Sequence, residues 1–150
     1  GSPDVPWSAA FISYIAKPYG LAGEASHLGY VQNVVNRKSG DWRAFSIPKN
    51  QGKIQLNVGD ILVRPRSGSN TATHGDMVAM IQDGEAVLVG GNLSDTVRVV
   101  GTIPVDTNGR ALENISNYLV ILKKKPSKIP LILGASALLL GAGLLVRSNR

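Results

Sequence analysis

The chain has no cysteine among its 150 residues. This absence excludes a disulfide framework, a thiolate zinc site and a thiol nucleophile. Aromatic residues make up only 5% of the chain, and residues 1–122 contain equal numbers of cationic and anionic side chains. The net charge of +6 therefore comes from residues 123–150. Because the neutral part lacks the basic, aromatic surface typical of nucleic-acid binding, we expect no nucleic-acid partner.

The sequence of residues 6–15 predicts a short, mostly buried helix at the start of the domain. Pro6 suits the first turn, since its missing N–H would have been unpaired there. The apolar side of this helix consists of Phe11, Ile12 and Ile15. Ser8 lies in the first turn, where unpaired N–H groups and the helix dipole favour a developing negative charge. Ser8 is therefore either a helix cap or a nucleophile.

The remainder of the domain predicts one more helix and a set of strands. Residues 22–37 predict the helix, and residues 39–57 predict a loop in which Trp42 and Phe45 pack back on the domain. The sequence Asp83-Gly84 predicts a tight hairpin turn. Strands are predicted at 60–64, 74–81, 86–89, 97–105 and 118–122. The expected fold class is α+β, with an antiparallel sheet behind two helices.

Two polar residues flank the predicted hairpin. His74 begins one strand, and Asn92 follows the strand paired with it. The register of an antiparallel pair makes these two residues neighbours. An amide beside an imidazole fixes its tautomer, so that the other ring nitrogen can take a proton. If the fold brings Ser8 to them, the three form a Ser-His-Asn arrangement.

The order of these motifs resembles the NlpC and CHAP branch of the papain-like amidases and peptidases. The resemblance rests on residues 6–13, the helix with His27 and Tyr30, the dipeptide Gly59-Asp60, and residues 74–81 and 89–97. It covers residues 4–122 and is nearest to an uncharacterised phage and bacterial group in that superfamily. The resemblance implies a papain-like fold acting on peptidoglycan or another peptide or amide substrate. It also implies that Ser8 replaces the nucleophilic cysteine, with His74 as the base and Asn92 as the orienting residue.

The replacement of cysteine by serine leaves two functions open. A serine is harder to activate, because only a thiol is appreciably ionised near neutral pH. Ser–His pairs nevertheless catalyse hydrolysis where an oxyanion hole is present. The chain is therefore either a Ser-His-Asn hydrolase of peptidoglycan or an inactive papain-like domain. In the second case it serves as a structural or recognition protein of a virion or membrane.

Three other interpretations start from single residues. Glu24 is a candidate general acid for glycan cleavage, although no second carboxylate accompanies it. Asp60 and Asp76, with His74, are candidate metal ligands, but an Asp after Gly at a strand start is commonly a turn residue. His27 is a core or surface histidine unless it takes part in catalysis. We expect neither a metal nor a cofactor.

An uncharged segment of eighteen residues begins at Ile129 and ends at Val146. A helix of this length spans about 27 Å, enough to cross a hydrocarbon core. We expect a papain-like domain at 1–122, a basic linker at 123–128, a transmembrane helix at 129–146 and a basic tail at 147–150. This gives a single-pass C-terminal anchor in a phage virion membrane or the bacterial inner membrane. Small residues in the segment favour self-association. Four lysines before it and two arginines after it favour a cytoplasmic domain.

Overall fold

A six-stranded antiparallel sheet forms the centre of the fold in the computed structural model, which describes residues 7–50, 54–66, 72–113 and 115–126. The strand order is β1-β6-β2-β3-β4-β5, and every neighbouring pair is antiparallel. The predicted α+β class and antiparallel sheet are confirmed. The helices are α1 (Ser8–Ala16), α2 (His27–Val35) and α3 (Ile47–Asn50), with a 3₁₀ turn at Lys17–Tyr19. The strands are β1 (Trp42–Ser46), β2 (Ile61–Pro65), β3 (Thr73–Gln82), β4 (Glu85–Leu93), β5 (Thr96–Pro104) and β6 (Val120–Lys124).

The two faces of the sheet bury separate hydrophobic clusters. Successive side chains of a strand point to opposite faces, so neighbouring residues of β2 and β6 enter different clusters. The first cluster includes Leu62, Val78, Leu88, Ile103 and Ile121, together with loop residues such as Ile54 and Leu56. The second includes Ile61, Val63 and Leu122, and it is covered by Ala9 and Ile12 of α1 and by Tyr30 and Val34 of α2. Both predicted helices therefore lie on one face of the sheet.

The hairpin between β3 and β4 turns at the predicted dipeptide. Asp83 and Gly84 have φ values of 52° and 78°. Two consecutive positive φ angles are what a two-residue turn of the I′ type requires, and its twist matches that of the flanking strands. The turn sets the register of β3 against β4 as far as the pair Met80 and Val87, and a one-residue shift between Val78 and Met80 then brings Asp76 opposite Gly90.

Three elements differ from the sequence-based expectation. The predicted loop at 39–57 contains β1 and α3, and within it Trp42 is buried whereas Phe45 is exposed. Helix α2 begins at His27 rather than at residue 22, because the side chain of Ser26 caps it by accepting a hydrogen bond from Gly29 N at 3.0 Å. Strand β6 continues through Lys124, two residues beyond the expected end of the domain.

The predicted transmembrane helix at 129–146 lies outside the described residues. Within the described ranges, no helix combines the length and the apolar character needed to span a membrane. The expected tail at 147–150 and the end of the expected linker, from residue 127, also lie outside those ranges.

Candidate functional site

The candidate site begins at the first residue of α1. Ser8 is only 1% exposed, and its position in the first turn is the predicted one. The first hydrogen bond of this helix joins Phe11 N to Trp7 O at 2.9 Å. The N–H groups of the first turn before Phe11 therefore have no partner inside the helix. Among the described residues, no side chain caps this end.

His27, and not His74, is the histidine that contacts Ser8. The Ser8 Oγ lies 2.8 Å from His27 Nε2, within hydrogen-bond distance. The other ring nitrogen, Nδ1, lies 2.6 Å from the hydroxyl oxygen of Tyr30, one helical turn further along α2. Side chains at positions i and i+3 of a helix are neighbours on its surface, so α2 itself aligns the ring. Ser8, His27 and Tyr30 thus form a continuous hydrogen-bonded chain.

The surroundings of His27 keep its imidazole neutral at pH 7. Burial, aided by the neighbouring His74 ring and the Arg66 guanidinium, lowers the pKa of His27 from 6.5 to about 4, against an opposing effect of the Asp76 charge. Burial, together with the Asp76 charge, also raises the pKa of Tyr30. A neutral imidazole has one nitrogen that donates and one that accepts a hydrogen bond. His27 is therefore able to accept the proton of the Ser8 hydroxyl.

His74 lies beside this chain of contacts rather than within it. Its ring centroid is 5.6 Å from that of His27, and the two planes are tilted by 55°. Its Nε2 is 3.2 Å from Asp76 Oδ1, although the two atoms are not aligned as a hydrogen bond. The hydrogen bond observed at the Ser8 hydroxyl is with His27 and not with the expected His74, because α2 places the His27 ring against Ser8.

Asp76 is a fully buried carboxylate with three neighbours. Its Oδ2 accepts hydrogen bonds from Arg64 Nε at 2.9 Å and from the hydroxyl of Tyr118 at 3.2 Å. Burial by itself would raise the pKa of Asp76, but the contacts with His74 and Arg64 outweigh it and hold the pKa below its usual value. The carboxylate therefore stays ionised and orders the side chains next to the site.

Asn92, the predicted orienting residue, follows the last paired residues of β3 and β4. The paired residues of β3 and β4 end at Asp76 and Gly90, two residues before Asn92, whose φ is 61°. Among the described residues, His74 and Asn92 share no hydrogen bond. Asp76 occupies the place next to the His74 ring because it lies on the same face of β3. The catalytic roles predicted for His74 and Asn92 stay predictions.

Two glycines leave the room that these side chains fill. A Cβ at Gly75 would overlap the Tyr30 hydroxyl and lie 2.8 Å from His27 Nδ1. A Cβ at Gly90 would lie 2.8 Å from Asp76 Oδ1 and 2.9 Å from His74 Nε2. Glycine inside a strand often marks the close approach of another group. Gly75 is thus a sequence signal for the proximity of α2 to β3.

A cleft of about 340 Å³ opens beside the Ser8–His27 pair. Both helices contribute their N-terminal residues to it, and the segment after β2 contributes a cation. Its lining includes Ser8, Ala9, Ser26, His27, Arg66 and Thr73. No acidic side chain is among the described residues that line this cleft. The volume of the cleft is sufficient for a small polar ligand beside the Ser8–His27 pair.

The alternatives based on other carboxylates find less support. Asp60 pairs with Lys123 and Asp76 pairs with Arg64, so each has its own cation. Within the described ranges, no three side chains of metal-binding type form a cluster. Glu24 is exposed, accepts a hydrogen bond from Asn33 Nδ2 and does not line the cleft.

The fold and the site define an α+β domain with a buried Ser–His pair at the edge of a cleft. Over residues 2–124 the chain matches the model of a family described as "uncharacterized protein conserved in bacteria (DUF2272)", and it belongs to that family. No curated protein and no solved structure matches the chain.

Proposed function

We propose that the chain is a hydrolase of amide or ester bonds, with Ser8 as the nucleophile and His27 as the general base. The observation that carries this proposal is the 2.8 Å contact between Ser8 Oγ and His27 Nε2 at the edge of an open cleft. A nucleophile and a base within hydrogen-bond reach, with the base oriented by a third group, are what acyl transfer to a serine requires. Tyr30 is the third group.

The proposed reaction follows from the positions of these atoms. The Ser8 Oγ attacks the carbonyl carbon while its proton passes to His27 Nε2, and His27 Nδ1–H donates to the Tyr30 oxygen. The negative charge on the carbonyl oxygen is stabilised by the backbone N–H groups of the first turn of α1. The protonated His27 then gives its proton to the leaving nitrogen or oxygen. Water, deprotonated by His27, then attacks the acyl-Ser8 ester, and His27 returns this proton to the Ser8 oxygen as the acid product leaves.

The substrate and the setting come from the resemblance to NlpC and CHAP enzymes. We propose a papain-like domain whose substrate is an amide bond of peptidoglycan, held at a membrane by residues 129–146. The contacts described above favour His27 over His74 as the base, and they make His74 and Asp76 a supporting pair. A phage virion or a bacterial envelope is the proposed location.

A second candidate is a papain-like recognition or structural domain without turnover. The burial of Ser8, at 1% exposure, favours it, because a nucleophile has to reach its substrate. The low pKa of His27 favours it as well, since a general base works best with a pKa near the working pH. In this case the Ser8–His27 hydrogen bond only joins α1 to α2.

Covalent labelling separates the two candidates. The full chain in mild detergent is treated with a fluorophosphonate, and separately with purified peptidoglycan, and adducts and released fragments are identified by mass spectrometry. The hydrolase proposal expects an adduct on Ser8 and fragment release that Ser8→Ala and His27→Ala both abolish. Ser94→Gly is the control, because it removes an exposed serine hydroxyl from the turn after β4, at a positive φ that glycine tolerates.

The contrary result is equally specific. If the natural chain gives neither adduct nor fragments, the hydrolase proposal fails and the recognition candidate replaces it. Ser8→Cys then tests whether the site is a relic, because a thiol restores the ionisable nucleophile of the superfamily that the chain resembles. Co-sedimentation of the natural chain with intact peptidoglycan measures recognition without turnover.

A further inference from the structure

We propose that the cleft binds its substrate through a carboxylate that pairs with Arg66, so that the protein acts on amides or esters bearing this group near the scissile bond. The proposal rests on the proposed function, and it specifies the substrate class of the same site. Arg66 lines the cleft together with Ser8 and His27, and it is half-buried.

Arg66 differs from Arg64, the other arginine near the site. Arg64 is bound to the buried Asp76 carboxylate, whereas Arg66 forms no ion pair with any described residue. The segment that follows Arg66, residues 67–71, contains no acidic residue in its sequence. Glu24, which precedes the cleft residues of α2, accepts a hydrogen bond from Asn33 instead. Among the described residues, the Arg66 guanidinium therefore has no carboxylate partner that would compete with a ligand.

The chemistry of the guanidinium selects the ligand. Arginine presents a planar set of N–H donors that matches the two oxygens of a carboxylate. The backbone N–H of Arg66 donates to the carbonyl of Ala72 at 2.9 Å, which fixes the backbone from which the side chain enters the cleft. The first turns of both α1 and α2 line the same cleft, and their dipoles also favour an anion there. A negatively charged group of the substrate thus meets a cation and no opposing carboxylate among the described lining residues.

A bound carboxylate would also change the basicity of His27. Burial is the main cause of its low pKa, and the positive charge of Arg66 contributes, while the charge of Asp76 opposes it. A carboxylate paired with Arg66 neutralises that contribution and places a negative charge near the ring, which raises the pKa of His27 towards the working pH. The base would therefore become stronger when the appropriate substrate is bound.

The test measures binding separately from turnover. The full-length Ser8→Ala chain in mild detergent is titrated with N-acetylglycine and with N-acetylglycinamide, which differ only in the carboxylate. We expect N-acetylglycine to bind more tightly than the amide. Arg66→Gln should weaken binding of N-acetylglycine about tenfold to hundredfold, the loss expected for a hydrogen bond to a charged group. Arg66→Lys should retain part of the affinity. Arg110→Gln, an exposed arginine outside the cleft, should change nothing.

A second readout follows the pKa of His27 by NMR. In the Ser8→Ala chain, N-acetylglycine should raise it, and in the Ser8→Ala, Arg66→Gln chain it should not. Equal affinity for the two ligands, unchanged binding in Arg66→Gln, or no binding of N-acetylglycine at its highest soluble concentration would overturn the inference. These outcomes are independent of the labelling of Ser8. Adducts without carboxylate binding leave the hydrolase proposal in place, and carboxylate binding without adducts points to recognition of carboxylates without turnover.

Discussion

Protonation of His27 should destabilise the fold as the pH falls from 6.5 towards 4. Burial holds the pKa of His27 at about 4 in the folded state, against 6.5 for a solvated histidine. Between these two values the unfolded chain binds a proton that the folded chain does not bind, so the free energy of unfolding decreases as the pH falls. A difference of this size corresponds to about 3 kcal/mol at most, reached near pH 4. Below that pH both states are protonated, and His27 contributes no further change.

Comparison with His27→Gln isolates this contribution. Glutamine keeps a donor and an acceptor at the site but does not titrate. Burial raises the pKa of Asp60, against the effect of Lys123, and this stabilises the fold as the pH falls through part of the same range. Because both proteins contain Asp60, the difference between them removes its effect. Asp76, whose pKa is held below its usual value despite burial, acts only in more acidic solution.

Urea unfolding of the full chain in constant detergent supplies the measurement, with the fluorescence of the buried Trp42 as the signal. Between about pH 7 and pH 4, the natural chain should lose about 3 kcal/mol more than His27→Gln. Parallel stability curves for the two proteins would refute the reasoning. An NMR titration that places the pKa of His27 near 6.5 would refute it too, and it would remove the evidence that burial keeps this base neutral.

Two further predictions concern the buried carboxylate and the predicted anchor. Asp76→Asn should lower the free energy of unfolding by about 3 kcal/mol, because it leaves the Arg64 cation without its partner. In the same urea assay Asp95→Asn, an exposed turn residue at a positive φ that asparagine tolerates, should be neutral, and equal losses would contradict the role given to Asp76. The full chain should stay in the membrane pellet after alkaline extraction, whereas a chain ending at Pro126 should leave it. Complete extraction of the full chain would rule out the anchor.

Local signals were sufficient for the hairpin but not for the edge of the sheet. The Asp83-Gly84 turn and the short apolar runs of β2 and β3 have recognisable sequence patterns. Strand β1 has no such pattern, since its five residues follow a glycine-containing loop and pair with β6, far along the chain. Pairing at that distance depends on the closure of the whole sheet. For this reason the sequence predicted a loop where β1 and α3 lie.

The candidate site shows the same limit. The position of Ser8 in the first turn of α1 is the predicted one, although the helix begins at Ser8 itself and no described side chain caps it. The identity of its partner depends on how α2 packs beside α1, which no local pattern specifies. Two sequence signals indicate a histidine held against β3. One is the spacing of His27 and Tyr30 on one helix, and the other is Gly75 beside His74. The register argument for His74 and Asn92 extends beyond the last paired residues, Asp76 and Gly90, and it stays a prediction.

Two of the lysines that bear on the predicted membrane orientation lie in the folded domain. Four lysines before residue 129 favoured a cytoplasmic domain, a face from which a peptidoglycan hydrolase could not reach its substrate. Lys123 is in β6 and pairs with Asp60, and Lys124 lies 5.3 Å from the centre of the Tyr19 ring. Both side chains are held against the folded domain, but the bias depends on the number of lysines and arginines near the segment and not on their partners. Four lysines therefore still precede the predicted anchor and two arginines follow it, so the predicted orientation continues to count against a peptidoglycan hydrolase.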